Sequence, residues 1–248
     1  MVKWFILVIA LLSISFISYI ENSQAEEPID CTMCHGDLTQ GKVVHAAVSM
    51  GCTICHAGVD AKEIPHKFTT NFPKGLSSEI AELCYNCHDK TKFYGPTVHA
   101  PVGIGMCTAC HNPHHSENEK LLIAGKEALC YNCHEQEKFS GKKIIHNPVR
   151  AGLCLECHLP HASANEYLAV NKGNLLCRKC HPRVEKEPHA IVGFSQMGHP
   201  LKGKSDPKRK GKTFECLSCH QPHTSDWGRL FRYKADSSYD LCLYCHEI

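Results

Sequence analysis

Every cysteine in this chain sits in a Cys-x-x-Cys pair, and every pair is followed at once by histidine. Nine such motifs use all 18 cysteines. In chain order they are Cys31, Cys34 and His35; Cys52, Cys55 and His56; Cys84, Cys87 and His88; Cys107, Cys110 and His111; Cys130, Cys133 and His134; Cys154, Cys157 and His158; Cys177, Cys180 and His181; Cys216, Cys219 and His220; and Cys242, Cys245 and His246. They are numbered one to nine below. The pattern is chemical, because packing a hydrophobic core places no such demand on a sequence.

Three uses of paired cysteines do not require the histidine. Zinc sites take Cys-x-x-Cys pairs without a histidine directly after each. A disulfide scaffold suits an exported chain but ignores the histidines. Thioredoxin-like redox pairs need a βαβ setting that is not visible here. With histidine at about 8% of residues, nine coincidences have a chance on the order of one in ten billion. Covalent haem attachment explains both halves of the motif. Two thiols add to the two vinyl groups along one porphyrin edge, which both sulfurs reach from a single helical turn. The adjacent histidine then lies beneath the ring as the proximal iron ligand. The expected cofactor is haem c, nine copies, covalently bound.

First cysteines recur at 21, 32, 23, 23, 24, 23, 39 and 26 residues, and the deeper repeat holds two motifs. The stretches from Leu83 and Leu129 both run Leu-Cys-x-x-Cys-His, a free histidine, a second motif, then Pro-His. A third copy starts at Leu176, and a fourth start at Leu241 is cut short. This predicts a leader at 1–25 and a cytochrome domain at 26–248. The domain divides into two-haem units at about 31–82, 83–128, 129–175 and 176–240, with a terminal haem at 241–248. The first unit keeps the order loosely, with His66 delayed.

The Leu-Cys-x-x-Cys-His start, the Cys-x-x-Cys-His-x-Pro-His close and Gly198–Pro200 resemble the doubled-CxxCH family of multihaem cytochromes. The resemblance is good from about Leu83 to Ile248 and looser from Cys31 to Leu83. It implies electron transfer in an anaerobic respiratory setting, hexacoordinate low-spin haems, and a fold of short α-helices with little other regular structure, organised around a packed haem chain. It does not single out one partner.

Each iron needs a second ligand. Ten histidines lie outside the motifs: His45, His66, His99, His114, His115, His146, His161, His189, His199 and His223. Two belong to each unit, and either His189 or His115 can serve the ninth iron. His114 follows proximal His111 by three residues, too few to reach the far face of the same ring. It is therefore expected to serve a neighbouring haem, as are His161 and His223. The distal candidates are His45, His66, His99, His114, His146, His161, His189, His199 and His223. Met33, Met50, Met106 and Met197 do not recur with the repeat and are read as packing residues.

The N-terminus reads as an export signal: one positive charge by Lys3, an apolar run from Trp4 to Ile20, and Ser23-Gln24-Ala25 as the cleavage site. A retained anchor is the competing reading. The mature chain is expected in the periplasm or otherwise exported, without stable membrane insertion. A net charge of +2 gives no reason to expect nucleic acid. Nine haems would add about eighteen propionate charges and bring the total to roughly −16. The basic run Lys202–Lys212 is a solvated loop on the plain reading and a propionate or acidic-partner contact on the sharper one. The expected partners are a reductase or quinol-linked donor and a downstream acceptor. A reductase with one open iron, or a self-associating filament or conduit subunit, is the alternative to a carrier.

Overall fold

The computed structural model describes residues 29–189 and 198–247. The expected leader at 1–25 and Met197 lie outside the described residues. Among the described residues no helix is long and apolar enough to cross a membrane.

The fold is mostly irregular, with short helices and eight two-residue strands among the described residues. The strands are β1 (Val43–Val44), β2 (Val59–Asp60), β3 (Lys67–Phe68), β4 (Thr97–Val98), β5 (His115–Ser116), β6 (Ile144–Ile145), β7 (Ala162–Ser163) and β8 (Thr224–Ser225). Among the described residues, only Phe231 and Ala235 are buried apolar side chains, and none of the larger side chains is fully buried. Residues that would build an ordinary core are open instead, Ile104 at 74% and Leu175 at 57%. The polypeptide alone therefore has too little apolar burial to offset the entropy of ordering it.

The repeat has a definite local structure. A two-residue strand leads into a histidine, which caps a one-turn helix, which leads into the next motif. His45 stands before Ala46–Met50, His99 before Ala100–Gly103 and His146 before Asn147–Arg150. Pro101 and Pro148 sit in the first turn, where no backbone donor is needed. The second and third of these helices end in paired reverse bonds: Gly105 N–H to Val102 and Met106 N–H to Pro101, then Gly152 N–H to Val149 and Leu153 N–H to Pro148. Gly105 (φ 75°) and Gly152 (φ 66°) supply the left-handed residue this ending needs. The stop falls just before motifs four and six. Their first three residues, Cys107–Ala109 and Cys154–Glu156, then form a single 3₁₀ turn rather than the helix expected from sequence. Motifs three and five follow true helices, Ile80–Tyr85 and Lys126–Tyr131.

Successive units are clasped together. β1 pairs with β5, β4 with β7 and β6 with β8, all antiparallel, so the strand before a free histidine in one unit binds the strand after Pro-His in the next. The β2–β3 hairpin is confined to the first unit and carries His66 at its turn. That insertion is why His66 comes late.

The basic run is folded rather than loose. Its one carboxylate, Asp206, is buried at 7% exposure. It accepts from the Lys208 and Arg209 amides and from Arg209 Nε. Burial works to raise the Asp206 pKa, but bonds from Ser218, Arg209 and the two amides outweigh it and hold the carboxyl down at about 2. Lys212 reaches Glu166 at 2.5 Å, leaving Lys202, Lys204, Lys208 and Lys210 exposed around the turn.

Two outcomes follow. Chain from which the porphyrins have been removed will show no cooperative thermal transition by circular dichroism; a cooperative melt would contradict the missing core. Because the Asp206 pKa is lower folded than unfolded, its contribution is present above about pH 4 and is lost as the pH falls toward 2. Amide-exchange protection at Lys208 and Arg209 will follow that window, and Asp206→Asn will lose it at neutral pH.

Candidate functional site

None of the eighteen cysteines is in a disulfide. Their neighbours order the motifs along the chain. Within units the first thiols meet: Cys84 lies beside Cys107, and burial pushes it up to about 11. Cys130 beside Cys154 behaves alike, also reaching about 11. Cys31 lies against Cys52. A bond to Cys216 lowers Cys177 to about 7 and in turn raises Cys216. Between units, Cys55 lies near Cys84, Cys110 near Cys133, Cys157 near Cys180, and Cys219 near Cys245. All eight junctions between consecutive motifs are thus close, and the nine form an unbranched row.

The motif histidines are matched one to one. His35 faces His66, His56 faces His114, His88 faces His45, His111 faces His161 and His134 faces His99. His158 faces His223, His181 faces His146, His220 faces His189 and His246 faces His199. His114, His161 and His223 each face the second motif of the preceding unit and not the motif beside them in sequence. His115 faces none of the nine; its ring lies where a Cβ on Gly41 would come within 2.8 Å, and its Nδ1 is buried without a partner. Met33, Met50 and Met106 are exposed on the polypeptide surface.

The distances carry the argument. The nine ring-centre separations all fall between 6.0 and 6.2 Å, while the angles between ring planes run from 14° to 74°. Ordinary ring contacts scatter in distance, as others here do, from 4.7 Å for Tyr233–Tyr244 to 6.3 Å for Tyr131–Phe139. A nitrogen–metal–nitrogen axis does the reverse: it fixes length and leaves rotation free. An iron–nitrogen bond of about 2 Å on either side, plus roughly 1.1 Å from each nitrogen to its ring centre, spans about 6.2 Å. Among the described residues no three or more ligating side chains converge on one point. Ligands offered in twos suit a metal whose other four positions are filled by a macrocycle, so the residues present fit haem.

Backbone carbonyls fix the tautomer of one imidazole in each pair. His56 Nδ1 donates to Lys74, His111 to Lys120, His158 to Tyr167 and His220 to Arg229, at 2.8–2.9 Å. His45 donates to Pro113, His99 to Pro160, His146 to Pro222, His66 to Glu63 and His199 to Pro200, at 2.8–3.0 Å. A carbonyl can only accept, so Nδ1 carries the proton and Nε2 keeps its lone pair for the metal. Of the other imidazoles, His114, His161, His189 and His223 have pKa values lowered chiefly by burial, which also favours the neutral ring.

Sequence reasoning missed the residues behind the first four of these bonds. Lys74, Lys120, Tyr167 and Arg229 all have φ of 55–58°. Leu121, Leu168 and Leu230 continue the left-handed turn at 56–59°. Non-glycine residues there cost roughly 1–2 kcal/mol each. A hydroxyl closes each turn, buried in the three serines and half-buried in the threonine: Ser116 donates to Leu122, Ser163 to Ala169, Ser225 to Phe231 and Thr70 to Leu76. A trace was legible, since serine stands five residues after the motif histidine in the last three units. Phe93 and Phe139 were also passed over; each lies nine residues after a first cysteine and packs on a distal histidine, His161 and His223.

Row, ring pairs and core-poor backbone together define a multihaem c-type cytochrome. The family model for the doubled CXXCH motif matches residues 45–93, 99–139, 146–186 and 207–247, well over half of the chain. The chain belongs to that family. Each matched stretch groups the second motif of one unit with the first of the next, and motif one falls outside them. No curated protein matches the chain.

Proposed function

We propose that the chain binds nine haems, one per motif, with each iron held between the two imidazoles of a pair, and that it carries electrons along the row between partners outside the cytoplasm. The observation that carries this is the constant ring separation at nine pairs joined in one unbranched line. Bound haem supplies one-electron redox chemistry at low potential when both axial ligands are histidine. The polypeptide does the rest. The cysteines fix each ring edge against the next, and the paired histidines close both axial positions. Free histidines lock neighbouring motifs together, so the spacing needed for rapid transfer is held rigid.

A reductase needs an axial position open to substrate. Each motif histidine here has a partner ring, which supports a carrier over an enzyme. His246 of the terminal motif faces His199 of its own chain, so the ring geometry gives no reason to draw a ligand from a second copy.

For the partner, the exposed lysines around Asp206 favour an acidic redox protein docking near motif nine. Phe214, in the same loop, packs on His199 at 5.6 Å, and Lys208 is close enough to Cys245 to act on its thiol.

Electron paramagnetic resonance of the loaded protein, with haem quantified as the pyridine complex, will give nine haems, all low-spin. The pairs with ring planes 14–22° apart will give rhombic signals, and the 74° pair of His199 and His246 a signal of large maximal g. A high-spin iron, or fewer haems, would refute the scheme. Reversing Lys202, Lys204, Lys208 and Lys210 to glutamate will slow oxidation by ferricyanide, an anion, several-fold at low ionic strength, and the difference will vanish in strong salt. Equal rates at low salt would remove the docking surface.

A further inference from the structure

The hydrogen bonds to the ring pairs follow a rule. Each pair has one imidazole whose Nδ1 is tied to a backbone carbonyl and one that has no such bond. At motifs two, four, six and eight the tied ring is the motif histidine: His56, His111, His158 and His220. At motifs one, three, five, seven and nine it is the distant one: His66, His45, His99, His146 and His199. Chance would leave some pairs with two bonds and some with none.

The alternation has a structural origin. At three of the five odd sites, motifs three, five and seven, the carbonyl that ties the distant ring belongs to the proline just before the untied ring of an even site: Pro113 before His114, Pro160 before His161, Pro222 before His223. One dipeptide therefore serves two neighbouring motifs. It uses the proline oxygen for one and the histidine ring for the other, and the even site must find its tie elsewhere. The left-handed turns supply it, and each turn is closed by Ser116, Ser163, Ser225 or Thr70.

A carbonyl on Nδ1–H makes Nε2 a stronger donor to iron, which favours the ferric state and lowers the reduction potential. Resting on the nine-haem reading above, we propose that one tie per iron levels this contribution along the row, so that no site becomes a trap, and that Ser116, Ser163, Ser225 and Thr70 are positioning residues for the even sites. The hydroxyls touch neither ring. They act by holding the turn whose carbonyl does.

The test uses the full haem-loaded protein with Ser163→Ala, and Ser163→Thr as the conservative control, since threonine fills this place in the first unit. Haem content and low-spin signature are measured first, so that failure to load or to ligate, which would sink the parent reading, is seen separately. In a spectroelectrochemical titration, one ninth of the absorbance change in Ser163→Ala will move to higher potential. In Ser163→Thr it will return to the wild-type curve. Superposable curves for alanine and wild type, a shift spread over all sites, or no rescue by threonine would overturn the proposal. So would a wild-type titration that divides into groups of four and five.

Discussion

The structure depends on nine imidazole pairs held 6.0 to 6.2 Å apart, the span that the proposed haem irons would close. In most domains distant segments are held by apolar burial, which scales with area and tolerates small displacements. Here apolar burial within the described polypeptide is nearly absent, and segments such as those bearing His45 and His88 meet at a ring pair. A coordinate bond acts over one fixed length. It can close a long loop at modest entropic cost, because that cost grows only logarithmically with loop size. On the nine-haem reading proposed above, nine such closures, each anchored again by two thioethers, would replace the core, and porphyrin surface would supply the apolar area that side chains such as Ile104 and Leu175 otherwise lack.

Closures between units make the assembly cooperative. Seven of the nine ring pairs join a motif to a histidine of a neighbouring unit, and only His35–His66 and His189–His220 stay within one. The backbone repeats the arrangement. The amide of His45 donates to His114, His99 to His161 and His146 to His223, each across units, while His199 donates to His189 within one. An internal unit removed from the row would lose ring partners at both ends, so the two-motif repeat is a unit of sequence and not of stability. The surface ion pairs that cross units, Lys142–Asp226, Lys179–Glu156 and Lys212–Glu166, are exposed and contribute little beside this.

The sequence made the chemistry legible and left the backbone obscure. The attachment motifs and the nine free histidines that face them could be read because thioether and imidazole chemistry demand particular residues at particular places. His114 could be assigned away from its own motif on chain length alone. The left-handed turn at Lys120–Leu121 could not be read, because nothing in a lysine or leucine announces positive φ. Glycine would have signalled it, and Gly75 does so in the first unit only. The change from helix to 3₁₀ turn at motifs four and six was within reach, since Gly105 and Gly152 stand two residues before the first cysteine. The folding of Lys202–Lys212 turned on one residue: a lone aspartate among lysines reads as solvated until its amide donors and Arg209 are seen around it.

Such division of labour explains why proline precedes five of the distant ligands, at Pro65, Pro113, Pro160, Pro188 and Pro222. Proline lacks an amide donor and fixes φ, while its carbonyl remains a full acceptor. Before His114, His161 and His223 that carbonyl is turned toward the neighbouring site's ring and the next side chain toward its own. A flexible residue would have to order both at once, against its own backbone entropy. Where the geometry departs, the chain departs with it. Pro188 and His199 lie only 11 residues apart within one unit, and His199 takes its carbonyl from adjacent Pro200 instead. The rule kept across all nine is one tied ring per pair, not one sequence. On the proposed nine-haem reading the constraint would act on the electronic environment of the iron, and the backbone meets it by whichever carbonyl lies within reach.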